Sequence, residues 1–335
     1  MKIVFPDETA CIRSSQDVAP LKELGECVVY DTNPQSEREL IRRIKDAEVA
    51  IINLSEITAN IMGQCQKLGH ICFLGIGVES YVDIARASER GIWVTNTPGY
   101  GNNTVAEYAL GLLLCAARKI HQGDRELRQN IWEQRELEGV ELWGKTLGII
   151  GLGPIGARMA ELGNTLGMRV LCYTRRPNVE RARKHGVEFT DLEHLLGKSD
   201  FVSLHIASSK ETYHLMDAAQ FQIMKKTAIF INTARGELVN TESLHEALRA
   251  GQIAGAALDV YEEEPLPRNH PLLKLDNVVI TPHIAYNSRE AGKRMLDIAI
   301  ANVASFAKGK PLNLVNKQVL TTSIETPRTQ KCGMI

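Results

Sequence analysis

Three segments of the chain each carry one residue able to bind an anion or move a proton. They are Asn232-Thr233-Ala234-Arg235-Gly236, Asp259-Val260-Tyr261-Glu262-Glu263-Glu264-Pro265 and Thr281-Pro282-His283-Ile284-Ala285, and each follows an apolar run. A guanidinium is a planar, permanently charged fork that matches a carboxylate. An imidazole changes charge near neutral pH and can donate or accept a proton, the more so beside a carboxylate. One arginine, one glutamate and one histidine from these segments together therefore suit delivery of a hydride to a carbonyl that lies next to a carboxylate. Singly, each has an ordinary reading as a surface charge, an acidic turn or a hydrogen-bonded imidazole. Their common setting just past predicted strands, and a fourth motif, join them.

The fourth motif is Gly151-Leu152-Gly153-Pro154-Ile155-Gly156, between the apolar run Leu147–Ile150 and a helical pattern over Ala157–Leu166. In that position a G-x-G-x-x-G run reads as a dinucleotide site. The first glycine allows the tight turn, the second lets backbone approach a pyrophosphate, and the third lets helix pack on strand. Free N–H groups and the dipole at the helix start would hold the phosphates. A carboxylate for the adenosine ribose is expected about 20 residues on, at the end of the next strand. Thr174, Arg175 and Arg176 stand there instead. A threonine with two guanidiniums suits a 2′-phosphate, so NADP(H) is expected in preference to NAD(H).

These residues need a scaffold that brings strand ends together. Strands are predicted at Lys2–Phe5, Glu26–Tyr30, Val49–Asn53, Cys72–Leu74 and Trp93–Thr95, with helices such as Glu37–Asp46 and Ile84–Glu89 between them. A helix capped at Asn103 or Thr104, with Glu107 completing a capping box, is expected next. A second βα series follows, with strands at Leu147–Ile150, Val170–Tyr173, Phe201–His205, Ala228–Asn232, Ala256–Leu258 and Val278–Thr281, closed by a helix over Ser288–Lys308. This alternation predicts an α/β chain with parallel sheets, and 335 residues suffice for two domains. With 39 basic against 40 acidic residues, nothing draws the chain as a whole to nucleic acid or an anionic membrane. No apolar run reaches the roughly 18 residues that span a bilayer, and the N-terminus reads as a strand, so the cytoplasm is expected. The seven cysteines are scattered without a C-x-x-C pair, which argues against a metal site or a disulfide framework.

Taken in order, the glycine loop and the Arg, Glu and His segments resemble those of the D-isomer-specific 2-hydroxyacid dehydrogenases. Asn96-Thr97-Pro98-Gly99 and Gly144-Lys145-Thr146-Leu147-Gly148 are further family-like landmarks, and the resemblance runs from Lys2 to about Asn316. It implies two Rossmann-like domains with parallel sheets. A dinucleotide domain, 98–284, would be inserted into a discontinuous, flavodoxin-like substrate domain, 1–97 and 285–316, with 317–335 as a C-terminal tail. Arg235 would bind the substrate carboxylate and polarise the carbonyl. His283 would protonate the carbonyl oxygen, and Glu264 would keep His283 charged. Asp259 resembles the residue that contacts the nicotinamide carboxamide. The backbone at Gly75-Ile76-Gly77 resembles a nest for the substrate carboxylate, so Ile76, Gly77 and the loop residue Leu54 join Arg235 and His283 as substrate-binding candidates. Gly151, Gly153, Pro154, Ile155, Gly156, Thr174, Arg175 and Arg176, with Thr104, His205, Ala234, Asp259 and Ala285, form the implied cofactor-binding set.

Of two departures from the family pattern, the first alters a loop on the adenine side and the second bears on the substrate. Ala207 stands where a proline is common, and Asn53-Leu54-Ser55 lacks the arginine of the phosphoglycerate-specific members, which argues against a phosphorylated substrate. The expectation is NADPH-dependent reduction of a small 2-oxoacid, glyoxylate or hydroxypyruvate, by a homodimer in which the region of Trp132 and Trp143 meets the partner. Rival readings are oxidation of another small anion, phosphite or formate, on the same scaffold, and a nucleotide-gated, corepressor-like binding protein.

Overall fold

The computed structural model describes residues 1–322. The chain forms two compact units, one made of Met1–Tyr100 and the chain from Ser288 onward, the other of Gly101–Asn287. The division falls after Tyr100 and Asn287, a few residues beyond the expected 97 and 284. Among the described residues no helix is long and apolar enough to cross a membrane.

The first unit holds five parallel strands, β1 (Lys2–Phe5), β2 (Glu26–Val29), β3 (Val49–Ile52), β4 (His70–Phe73) and β5 (Trp93–Thr95), in the order β2-β1-β3-β4-β5. β3 and β4 are buried along their whole length, as continuous apolar runs must be when helices cover both faces of a sheet. The order reverses between β1 and β3, and such a switch point opens a crevice at the carboxyl ends of the strands. The helix Arg289–Ala307, capped by the Ser288 side chain on the Ala291 N–H, returns to this unit. The expected tail does not start at 317. The Gln318 amide donates to Ser88 Oγ, Val319 is fully buried, and Val319–Thr322 forms a helical turn. Asn316 fixes this course, accepting from the Val94 N–H and donating to the Ile92 carbonyl. The rest of that segment lies outside the described residues.

The second unit holds β6 (Thr146–Ile150), β7 (Arg169–Tyr173), β8 (Glu188–Phe189), β9 (Phe201–Leu204), β10 (Ile229–Asn232), β11 (Gly255–Leu258) and β12 (Val278–Ile280). They form one parallel sheet in the order β12-β11-β10-β9-β6-β7-β8. β8 is a two-residue edge strand, too short to leave an alternating pattern in the sequence. The helix Asn102–Ala117 begins earlier than the capping-box reading places it. Gly101 is its cap, with no side-chain bond, and the Val105 N–H closes the first turn on the Gly101 carbonyl. Asn103 and Thr104 thus lie inside the first turn, and Glu107 sits too far along to complete a box.

Candidate active site

The strand ends of the second unit lie in one register. Ile280 pairs with Leu258, Leu258 with Asn232, Asn232 with Leu204, Leu204 with Ile150, and Ile150 with Tyr173. The ladder runs one residue further: the N–H groups of Thr281, Asp259, His205 and Gly151 donate to the carbonyls of Leu258, Asn232, Ile150 and Tyr173 at 2.8–3.0 Å. Every sequence-predicted residue of this unit except Thr104 therefore follows this single row within a few positions. That is the carboxyl edge where open parallel sheets bind ligands.

At the β6 end the three glycines have distinct reasons for lacking a side chain. Gly151 has φ +100, and a Cβ there would lie 2.5 Å from the His205 carbonyl oxygen. A Cβ on Gly156 would meet the Gly151 carbonyl oxygen at 2.0 Å. Gly153 is extended and exposed, and a Cβ there would meet nothing within 4 Å. Packing therefore does not require glycine at 153, whereas backbone approach of a phosphate from the open side does. Gly153 caps the helix Pro154–Thr165 with no side-chain bond, so Ile155 and Gly156 present helix-start N–H groups to that side. These features fit a dinucleotide pyrophosphate. Thr174 directly follows β7, and Arg175 and Arg176 are exposed beside it. His205 is neutral, since burial lowers its imidazole to about 4, and its Nε2 bonds to Ser203 Oγ at 2.9 Å.

Past β11 and β12 two of the chemistry-bearing side chains meet, while Arg235, past β10, donates from Nη1 to the Ala234 carbonyl at 2.7 Å. His283 Nδ1 donates to Glu264 Oε2 at 2.6 Å, which leaves Nε2 for another partner. Glu264 Oε1 accepts the Tyr261 N–H at 2.9 Å. Burial opposes ionisation of Glu264, but the bonds from His283 and Tyr261, with positive charge on His283 and Arg235, outweigh it and hold the carboxyl below its ordinary 4.5. Arg235 thus acts on Glu264 through its charge and makes no hydrogen bond to the pair. Its backbone turn is fixed by the buried Asn232, whose amide donates to the Arg235 carbonyl and accepts from the Ala234 N–H, both at 2.9 Å. Of the three glutamates only Glu264 reaches His283, because Glu262 is taken by His214 Nε2 at 2.6 Å and the Thr241 N–H at 2.9 Å.

Asp259, fully buried, holds the histidine turn. Its Oδ1 accepts from Thr281 Oγ1 at 2.6 Å and the Ile284 N–H at 2.9 Å, and its Oδ2 accepts the Ala285 N–H at 2.7 Å. His283 between them has φ +52, a left-handed conformation disfavoured for residues other than glycine. The family resemblance assigns Asp259 to the carboxamide, and the turn-holding bonds are a further task that the sequence does not announce. Sequence reasoning also missed two other residues. The Tyr261 phenol donates to the Thr281 carbonyl at 2.9 Å, tying the Glu264 loop to the His283 loop. Arg181 donates from Nη2 to the Leu152 carbonyl inside the glycine loop. Only its place soon after two other arginines could have drawn notice to it.

The remaining candidates lie in the first unit. Leu54 follows β3 and is 55% exposed, and Ile76 follows β4 and is 44% exposed. The Gly75 carbonyl accepts the Thr97 N–H and the Ile76 carbonyl accepts the Asn96 amide, both at 2.9 Å. Among the described residues the N–H groups of Ile76 and Gly77 have no acceptor. Among the described residues no group of three or more His, Cys, Asp or Glu could hold a metal ion.

Comparison with known proteins adds an independent line. Residues 110–285 match the model of the D-isomer specific 2-hydroxyacid dehydrogenase NAD binding domain. The chain is 45% identical over 310 residues to a glyoxylate reductase of Thermofilum pendens, covering 90% of this chain and 91% of that protein. Among solved structures it is similar to the TT0316 protein of Thermus thermophilus, with a TM-score of 0.85 and 37% identity over 94% of this chain and all of that one. It is also similar to an acyclic imino acid reductase in complex with NADPH and D-Arg, with a TM-score of 0.84 and 30% identity over the same shares. The order of the motifs, the single register row that gathers them and these likenesses agree: the chain belongs to the D-isomer specific 2-hydroxyacid dehydrogenases.

Proposed function

We propose that the protein reduces small 2-oxoacids to 2-hydroxyacids, glyoxylate first and hydroxypyruvate second, with NADPH as the preferred donor. The observation that carries this reading is the bonded pair of His283 and Glu264, with Arg235 following the same strand-end row that also bears the glycine loop. A nicotinamide held at this row supplies the hydride. Arg235 offers its guanidinium fork to the substrate carboxylate and draws electron density from the adjacent carbonyl. His283 Nε2 donates a proton to the carbonyl oxygen as the hydride reaches carbon. Glu264, ionised and bonded to Nδ1, keeps the imidazole oriented and offsets its charge. The open N–H groups of Ile76 and Gly77 suit a carboxylate.

The NADPH preference rests on Thr174, Arg175 and Arg176, since no carboxylate stands there to repel a 2′-phosphate. Glyoxylate rests on the names of the relatives, and a two-fold dimer on an apolar surface in the segment before β6. There Trp132 and Trp143 are 79% and 78% exposed, with Ile120, Leu127 and Ile131 also uncovered. Steady-state rates with glyoxylate, hydroxypyruvate, pyruvate and a phosphorylated 2-oxoacid, each with NADPH and NADH, test the proposal. The highest kcat/KM is expected for glyoxylate with NADPH. Failure to oxidise either cofactor with any 2-oxoacid would overturn the reaction, and a preference for NADH would overturn the ribose-site argument.

A further inference from the structure

Asp7 lies just past β1, beside the β3 end in the crevice where the first sheet reverses order. It is 2% exposed. Its Oδ2 accepts three successive backbone N–H groups, from Asn53 at 2.7 Å and from Leu54 and Ser55 at 3.1 Å. Its Oδ1 accepts the Ser55 hydroxyl. Three consecutive N–H groups aimed at one oxygen form an anion nest, and here the chain fills that nest with its own carboxylate. The next loop is the reverse, with the carbonyls of Gly75 and Ile76 taken and the N–H groups of Ile76 and Gly77 without an acceptor among the described residues. The hollow beside Leu54 carries Glu37 and Glu56 and neither lysine nor arginine.

We propose that Asp7 is a specificity-determining, positioning residue. It acts as a resident anion that shuts the nest of the Asn53–Ser55 loop, so that this loop meets substrate through the Leu54 side chain alone and rejects a second anionic group such as a phosphate. The proposal rests on the reading of Leu54 as a substrate-binding residue, and it adds to that reading a reason for the choice of small, unphosphorylated acids. Removing the Asp7 carboxylate frees three N–H groups, which then either collapse the loop or capture an anion from solution.

Asp7→Ala, Asp7→Asn, Ser55→Ala and Leu54→Ala test this by steady-state kinetics with glyoxylate, inhibition by inorganic phosphate, and NADPH binding followed by fluorescence. Asp7→Ala is expected to raise KM for glyoxylate about tenfold or more, to leave NADPH affinity within about twofold, and to become inhibited by inorganic phosphate competitively with glyoxylate. Asp7→Asn should recover KM to within about threefold, because its amide oxygen still fits the nest and its amide N–H can donate to Ser55 Oγ. If Asp7→Ala fails to fold, Ser55→Ala, which deletes one of the four bonds, should still raise KM about two- to threefold. The proposal is overturned if Asp7→Ala keeps the parent KM and phosphate insensitivity, if Asp7→Asn is no better than Ala, or if Ser55→Ala leaves KM unmoved. Failure of the underlying reading looks different, because Leu54→Ala would then leave KM unchanged whatever Asp7 does.

Discussion

Replacing Asp259 with asparagine tests how His283 is held, by removing charge at constant shape. In the parent, both carboxylate oxygens are occupied by the turn that carries His283, through Thr281 Oγ1 and the N–H groups of Ile284 and Ala285. Hydrogen bonds to a buried charge contribute about 1.5–3 kcal/mol each, against about 0.5–1.5 for neutral ones. An asparagine can keep its oxygen toward Thr281 and Ile284, but its NH2 then faces the Ala285 N–H across 2.7 Å, and an orphaned buried donor costs a further ~1–3 kcal/mol. The net loss is about 3 kcal/mol, larger than the ~1–2 kcal/mol needed to keep a residue in the left-handed region. The turn should therefore relax and let His283 leave φ +52. At 1.4 kcal/mol per decade, 3 kcal/mol corresponds to roughly a hundredfold fall in kcat/KM. For a unit of this size Tm should drop by about 6–12 °C. Stopped-flow single-turnover rates with glyoxylate and NADPH, alongside calorimetry, measure both. A variant whose hydride-transfer rate stays within threefold of the parent would refute the claim that these bonds hold the histidine.

The glycine loop yields a contrast between neighbours. Gly153→Ala should leave Tm unchanged and weaken NADPH binding, since its Cβ enters open space, whereas Gly156→Ala should destabilise the fold because its Cβ lands 2.0 Å from the Gly151 carbonyl oxygen. Thermal melts and fluorescence titrations separate the two. Thr174→Asp should move the ratio of kcat/KM values toward NADH by about tenfold or more, through repulsion of the 2′-phosphate. An unmoved ratio would remove Thr174 from cofactor choice. Glu264 supplies the pH dependence. Its folded carboxyl titrates below its ordinary 4.5, so the contribution of the pair is complete above that value and is lost as pH falls through the lower folded one. Reduction should accordingly persist through pH 4.5 and fail only as pH falls through the lower folded value, and Glu264→Gln should erase that acid limb. An acid limb that survives the substitution would belong to another group.

What the sequence revealed and what it hid divide along the range of the interactions. The strands were legible because a doubly covered parallel strand must be a largely apolar run, as Val49–Ile52 is throughout and Ile229–Asn232 is up to its last residue. The glycine loop was legible because its constraints act within six residues. The assignment of Arg235, Glu264 and His283 came from the family resemblance together with their order after successive strands, a pattern that a parallel sheet gathers along one edge. Asp7, Asp259, Tyr261 and Arg181 were harder to place because their partners lie 46–48, 22–26, 20 and 29 positions away. A parallel crossover separates neighbouring strand ends by a helix and two loops, so a carboxylate on one end and the N–H groups it satisfies on the next share no local signal. That same separation explains why these residues matter. Loops on adjacent strand ends have no covalent reason to stay in register, and buried charges that bridge them supply it. At the carboxyl edge of such a sheet, an isolated Asp or Glu one or two positions past a strand is therefore a candidate holder of the neighbouring loop, a rule that Asp7 and Asp259 both obey.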